Sequence, residues 1–97
     1  MSYLDQKQTD ILKKAKLKER ALSHPLRQKM LALIKAHNRI KVTDIYKKLR
    51  IEQSVASMHL AILRSAGFVT TQREGQVIRY SVNDKAINEF LKHCQKV

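Results

Sequence analysis

Helix breakers are almost missing from this chain. It holds one proline and two glycines in 97 residues. Most of it can therefore run as helix, and Pro25, Gly67 and Gly75 mark expected boundaries. Cysteine is scarce as well. A lone Cys94 excludes an intramolecular disulfide and an all-cysteine metal site, and suits a reducing compartment. Apolar runs fall far short of the roughly 20 residues that a membrane-spanning helix needs. The first ten residues are polar and carry Asp5 and Asp10, unlike a secretory signal. The expectation is a cytoplasmic protein. Aromatic residues are few, and Tyr3, Tyr46, Phe68, Tyr80 and Phe90 form no evident base-stacking surface of the kind that reads RNA.

Acidic residues are the next scarcity. Eight Asp and Glu stand against 20 Lys and Arg, for a formal net charge of +12. Such an excess points to an anionic partner, either nucleic acid or an anionic membrane surface. Hydrophobic residues at 43% keep the chain out of the disordered class. Its length suits one domain, 1–97, around a single small core. The acids are scattered, no glycine-rich phosphate loop is present, and Ser57 near His59 has no orienting acid close in sequence. Neither an enzyme nor a bound cofactor is expected.

What is there is helical patterning with one interruption. A first helix spans about 4–21, with Leu4, Ile11, Leu12, Ala15 and Leu22 able to line one side. Lys13, Lys14, Lys16, Lys18 and Arg20 make its remainder basic; a solvated face and a phosphate-facing role both fit such a run. Ser23-His24-Pro25 is a helix start, with Ser23 the expected cap and Pro25 in the first turn. Leu26, Met30, Leu33, Ile34 and His37 follow at helical spacing, and Asn38-Arg39 ends that helix. Ile40 and Val42 flank Lys41 as a short extended piece. Thr43 is the expected cap of a short helix, Asp44 to Leu49, and Arg50-Ile51-Glu52 the turn after it.

A helix from Gln53 to Ala66 follows, closed by Gly67. Ala56, Leu60 and Leu63 share one side, with His59, Ile62 and Ala66 beside them. Gln53, Ser54, Ser57, Met58 and Ala61 occupy the other, which is small and polar near the helix start and able to lie in a major groove. Phe68, Val69, Val77, Ile78 and Tyr80 are strand formers around a hairpin tip at Glu74-Gly75-Gln76. Asn83 or Asp84 caps a last helix, about 84–96, whose Ile87, Phe90, Leu91, Cys94 and Val97 form a stripe. On a domain this small, such a stripe completes the core or forms a dimer seam. The fold class is mainly α with a small β-hairpin: about five helices and a two- or three-stranded wing sheet, a winged helix-turn-helix.

Three segments resemble the ArsR-type family of bacterial winged-helix repressors. They are Ala21-Leu22-Ser23-His24-Pro25-Leu26-Arg27; Ser57-Met58-His59-Leu60 with Leu63-Arg64-Ser65-Ala66-Gly67-Phe68-Val69; and the wing pieces Arg73-Glu74-Gly75 and Arg79-Tyr80. The likeness runs from about Ala21 to Val82. It implies a symmetric homodimer built from the first and last helices, with Leu4, Ile11, Ala15, Ile87, Phe90, Leu91 and Cys94 in the seam. It implies two recognition helices in successive major grooves of a two-fold symmetric double-stranded DNA operator. A two-fold axis would set those helices about one DNA turn, roughly 34–36 Å, apart.

Role assignments follow from chemistry. Gln53, Ser54 and Ser57 can reach base edges, and Gln can pair bidentately with adenine. Met58, where many relatives carry a polar or basic residue, can touch a thymine methyl or lie on the groove wall. Arg64, Arg73 and Arg79 are phosphate or minor-groove candidates, Gln76 sits at the wing tip, and Thr43 and Lys47 are backbone anchors. His59 reads as a hydrogen-bonded packing residue.

Metal sensing, common in the family, lacks its ligands here. Lys41 and Thr43 stand where one sensing pattern places two thiolates, and a protonated lysine does not ligate a soft cation. In the second pattern, Asp-x-His, Asp84 is followed by Ala86. Cys94 is a small seam residue or, paired across a dimer, a redox or metal response. The expected function is a sequence-specific dimeric DNA-binding transcriptional regulator, a repressor. The alternatives are a winged-helix protein-interaction module and a non-specific nucleic-acid-binding protein.

Overall fold

Two side-chain caps decide where the first helices begin. The computed structural model describes residues 5–95, so Leu4 and Val97 lie outside the described residues. Helix α1 runs Gln6–Ser23 and opens on a capping box. The Asp5 carboxylate accepts from the Gln8 N–H at 2.8 Å, and the Gln8 side chain accepts from the Asp5 N–H at 3.2 Å. Helix α2 runs Pro25–His37, and its cap is His24, not the expected Ser23. His24 Nδ1 accepts from the Leu26 N–H at 3.1 Å. The reason is Pro25, whose ring forces the preceding residue into the extended region (φ −86°, ψ 126°) that an N-cap needs. Ser23 stays in α1, and its hydroxyl donates to the Arg20 carbonyl at 3.2 Å.

After Asn38, at φ +64°, the chain enters strand β1, Ile40–Lys41, and turns directly into α3, Val42–Leu49. Thr43 is therefore inside the first turn of α3 and is not its cap. Lys41 holds the cap position without a side-chain bond, because β1 pairing fixes Ile40 opposite Tyr80 and Lys41 opposite Arg79. Arg50, at φ +55°, closes α3, and α4 runs Gln53–Ser65.

Strands β2, Val69–Glu74, and β3, Val77–Val82, form the hairpin, and the sheet order is β1-β3-β2, all antiparallel. The tip is the two residues Gly75-Gln76, with Glu74 paired to Val77; the sequence suggested a tip one residue longer. Helix α5, Asp84–Gln95, is capped by Asn83, whose side-chain oxygen accepts from the Ala86 N–H at 3.2 Å. The same Asn83 donates from its backbone to the Phe68 carbonyl (2.8 Å) and from its amide to the Gly67 carbonyl (3.1 Å). One residue thus ties the start of α5 to the end of α4.

The core lies where α2, α3 and α4 meet the sheet. Met30, Ile34, Ile45, Leu60, Leu63 and Phe68 are its largest fully buried side chains. Phe90 brings α5 onto it, its ring 5.9 Å from that of Phe68. Only the C-terminal end of α1 joins, through Leu17, Ala21 and Leu22. Ile11, Leu12 and Ala15 are exposed, and Ile11 and Ala15 line an open groove with Ala86 and Phe90 of α5.

The end of α4 carries a Schellman motif: Gly67 N–H to Arg64 O and Phe68 N–H to Leu63 O, both 3.0 Å, with Gly67 at φ +82°. A Cβ added at Gly67 would meet nothing within 4 Å. Gly67→Ala therefore costs left-handed strain alone, about 1–2 kcal/mol, read as a lower urea midpoint with an unchanged slope. A variant as stable as the parent would refute that backbone role.

Candidate nucleic-acid interface

The α3–turn–α4 unit presents one side of α4 to solvent. Ala56, Leu60 and Leu63 face the core, and Gln53, Ser54, Ser57, Met58, Ala61, Arg64 and Ser65 are exposed. Met58 is 54% exposed, a large apolar side chain with no packing duty. These residues recur every three or four positions, so they form one stripe along the helix.

Its opposite side is held by a buried polar contact. Arg27 of α2 and His59 of α4 are each only 6% exposed. Arg27 Nη1 lies 3.0 Å from His59 Nδ1, while its Nε and Nη2 donate to the Ala21 (3.1 Å) and Arg20 (2.7 Å) carbonyls. These carbonyls belong to the last turn of α1, whose dipole is negative there. Gln28 covers the Leu22 carbonyl at 2.7 Å. A guanidinium only donates, so Nδ1 must keep its lone pair and His59 is the neutral Nε2–H tautomer. The His24 ring packs on it at 4.7 Å. Burial, then His24 and Arg27, lower the His59 pKa from its ordinary value near 6.5. His59 is thus a packing residue that sets the seat of α4, as its sequence context suggested. The role of Arg27 was missed. Its signal was spacing, because Arg27, Met30 and Ile34 share the buried face of α2.

Strand pairing sorts the wing residues. Arg73 pairs with Ile78 and Thr71 with Tyr80, so Arg73 shares the sheet face of Tyr80, Val69 and Ile40, the face turned to the core and α4. Arg79, opposite Gln72 and Lys41, lies on the other face. There Glu74 accepts from Arg39 at 2.6 Å and lies 3.9 Å from Arg79. Arg73 bonds only its own turn, Nε to the Gly75 carbonyl at 3.2 Å. Gln76 is exposed at the tip. Between α4 and β3 runs an open groove of about 490 Å³ lined by Ser57, Ala61, Arg64, Ser65 and Tyr80.

Cations dominate this side. The ion pairs among the described residues are Arg39–Glu74, Arg79–Glu74 and Lys35–Asp84. Lys47, Arg64 and Arg73 therefore keep their charge unpaired, and Lys47 and Thr43 are exposed on α3. Tyr80, on the Arg73 face of the wing, meets the α4 stripe at that groove; Thr43 and Lys47 are exposed on α3, and Arg79 stands with Glu74 on the other sheet face. Among the described residues, no three His, Cys, Asp or Glu side chains gather into a metal-holding set. No helix among them is long and apolar enough to cross a membrane. At the other end of the molecule, Ile11 (58% exposed), Ala15, Leu91 and Cys94 are exposed on α1 and α5, with Ile87 and Phe90 half-buried beside them.

Known proteins share this organisation. Residues 24–71 match the family model described as bacterial regulatory protein, arsR family. The transcriptional repressor SdpR of Bacillus subtilis is 34% identical over 72 residues, 74% of this chain and 79% of that one. The transcriptional activator HlyU of Vibrio cholerae is 32% identical over 81 residues, 78% of this chain and 74% of that one. In fold, the chain is similar to the homodimeric winged helix-turn-helix DNA-binding domain of a possible ArsR-family regulator from Mycobacterium bovis. That likeness has a TM-score of 0.75 at 24% identity and covers 94% of this chain and 84% of that one.

The Arg27–His59 contact makes stability depend on pH with a definite sign. Above about pH 6.5 the imidazole is neutral in both folded and unfolded chains and contributes no slope. Below it the unfolded chain takes the proton first, so the unfolded state binds more protons and stability falls with falling pH. The urea midpoint should drop between pH 7 and pH 5, and His59→Gln, whose side-chain oxygen can still accept from Arg27, should lessen that drop. Identical pH profiles for the two proteins would contradict the assignment.

Proposed function

We propose, from the premise that the chain belongs to the arsR family of bacterial regulatory proteins, that it is a sequence-specific transcriptional regulator that binds operator DNA as a homodimer in the cytoplasm. The observation that carries this reading is the α4 stripe. It is exposed, polar toward its start and flanked by unpaired Lys47, Arg64 and Arg73, while a buried Arg–His contact holds its back. Gln53, Ser54 and Ser57 read base edges, and Met58 meets a thymine methyl. Thr43, Lys47, Arg64 and Arg73, with Gln76 at the tip, engage the sugar–phosphate backbone and fix register. Arg79 is the weakest of these contacts, since Glu74 already offsets its charge.

The dimer reading rests on α1 and α5. Ile11, Ala15, Leu91 and Cys94 leave apolar surface in water that a second copy would cover, with Ile87 and Phe90 at its edge; Leu4 would extend the seam from outside the described residues. Two such copies present two α4 stripes to one duplex, and linkage of the half-sites raises affinity without new contacts. Regulation is repression by covering a promoter; among the relatives SdpR is named a transcriptional repressor and HlyU a transcriptional activator. Lys41 and Thr43 at one sensing position, and Ala86 at the other, make the regulator independent of the usual metal ligands.

Selection of bound sequences from a random duplex pool tests this directly. The expected product is a two-fold symmetric motif. Gln53→Ala should alter the selected bases, whereas Arg73→Ala should weaken every duplex alike and reduce the salt slope by about 1. An unselective pool, or a Gln53→Ala variant with the parent motif, would sink the groove assignment. Dimerisation has its own test. Ile11→Glu sits on exposed surface and should leave the fold intact. It should yield a single-copy protein by light scattering and lose about 100-fold or more in operator affinity. A variant that stays dimeric would move the seam elsewhere.

A further inference from the structure

The groove between α4 and β3 is built almost wholly from hydrogen-bond donors that the fold does not use. Its lining is Ser57, Ala61, Arg64, Ser65 and Tyr80. The three hydroxyls and the guanidinium make no hydrogen bond or ion pair to other described residues, and no buried side-chain polar atom there is left without a partner. The hydroxyl donors are therefore open to water and to a ligand. No carboxylate lines the groove. Ala61, between Ser57 and Ser65 on the α4 stripe, leaves its floor low enough for a backbone to approach. Tyr80 supplies the opposite wall and half-buries its ring in the core, which fixes where its hydroxyl can be. With one guanidinium, three hydroxyls free to donate and no carboxylate, this cationic lining favours an oxyanion.

Resting on the regulator reading above, we propose that this groove is a clamp for one phosphodiester of the DNA backbone in each half-site, with Tyr80 and Ser65 as contacts alongside Arg64. The groove is open at its surface and about 490 Å³, much more than one phosphate fills. It suits a polymer passing through better than a free ion enclosed. Its wall belongs to the wing and its floor to the recognition helix, so a phosphate held there fixes the angle between the two on the duplex. The groove is a continuation of the stripe that begins at Gln53, which places the clamped phosphate beside the bases that stripe would read.

Single methylphosphonate replacements along a selected operator test the clamp, because each removes one charge and one acceptor. The parent protein should lose about tenfold in affinity at one backbone position per half-site. In Tyr80→Phe and in Arg64→Gln that position-specific loss should shrink to about twofold, as expected for coupled partners. The selected base sequence should not change. Tyr80→Phe keeps the ring, so an unaltered urea midpoint will separate contact loss from misfolding. The same loss pattern in parent and variants, or a changed base preference, would overturn the proposal. Inorganic phosphate is the second arm. If it saturates the Tyr80 and Ser65 resonances at submillimolar concentration without DNA, the groove holds a free anion and the backbone assignment is wrong. A parent protein that binds no duplex at all would instead overturn the regulator reading on which the clamp depends.

Discussion

One guanidinium locks three helices. Arg27 reaches from α2 to the last carbonyls of α1 and to the imidazole of His59 on α4. Burying a charge without an acid partner is costly unless every donor finds an acceptor. Here the acceptors are the negative end of a helix and a lone pair on a neutral ring. Such an arrangement is intolerant of small displacements, because a shift of α4 would take the His59 acceptor away from a buried cation. The exposed stripe of α4 can therefore stay polar and poorly packed, since its position is set from behind. Rigidity on the inner side and solubility on the outer side are the two properties a reading helix needs together.

The elements that patterning revealed are those with a strong local cause. Pro25 in a first helical turn, Gly67 after a run of apolar residues at helical spacing, and the strand formers Val77, Ile78 and Tyr80 each act within a few residues. All five helices and the hairpin were legible for that reason. The caps were less so. His24 displaced Ser23 because the residue before a proline is extended whatever its side chain. Lys41 displaced Thr43 because strand pairing, a non-local constraint, delivered the chain into α3 two residues early.

Site residues divide along the same line. Those on α4 could be named from spacing, since a helix repeats predictably. Those on the wing could not be assigned to a face, because the tip proved to be two residues long, and a change of one residue in a hairpin turn alters every pairing beyond it. In the sequence Arg73, beside the tip, is the stronger contact candidate and Arg79 can equally be a strand residue facing water. In the fold they sit on opposite faces, one tied only to its own turn and the other beside Glu74. Tyr80 and Ser65 were not singled out as contacts, because nothing local shows that a strand and the helix about two turns past Ser57 share a groove.

Helices α3 and α4 end alike. Arg50 and Gly67 both adopt positive φ, and each is followed by the same pair of backbone bonds, Arg50 to Lys47 and Ile51 to Tyr46 in the first case. Glycine is the undemanding occupant of such a site; arginine there is strained. The strained one leads into Gln53, where an added positive charge is close to the surface that would meet a polyanion. A protein engineer seeking heat tolerance would find position 50 an obvious place to install glycine. The gain in robustness would come with a weaker electrostatic pull on nucleic acid, so the residue found there marks a compromise between durability and grip.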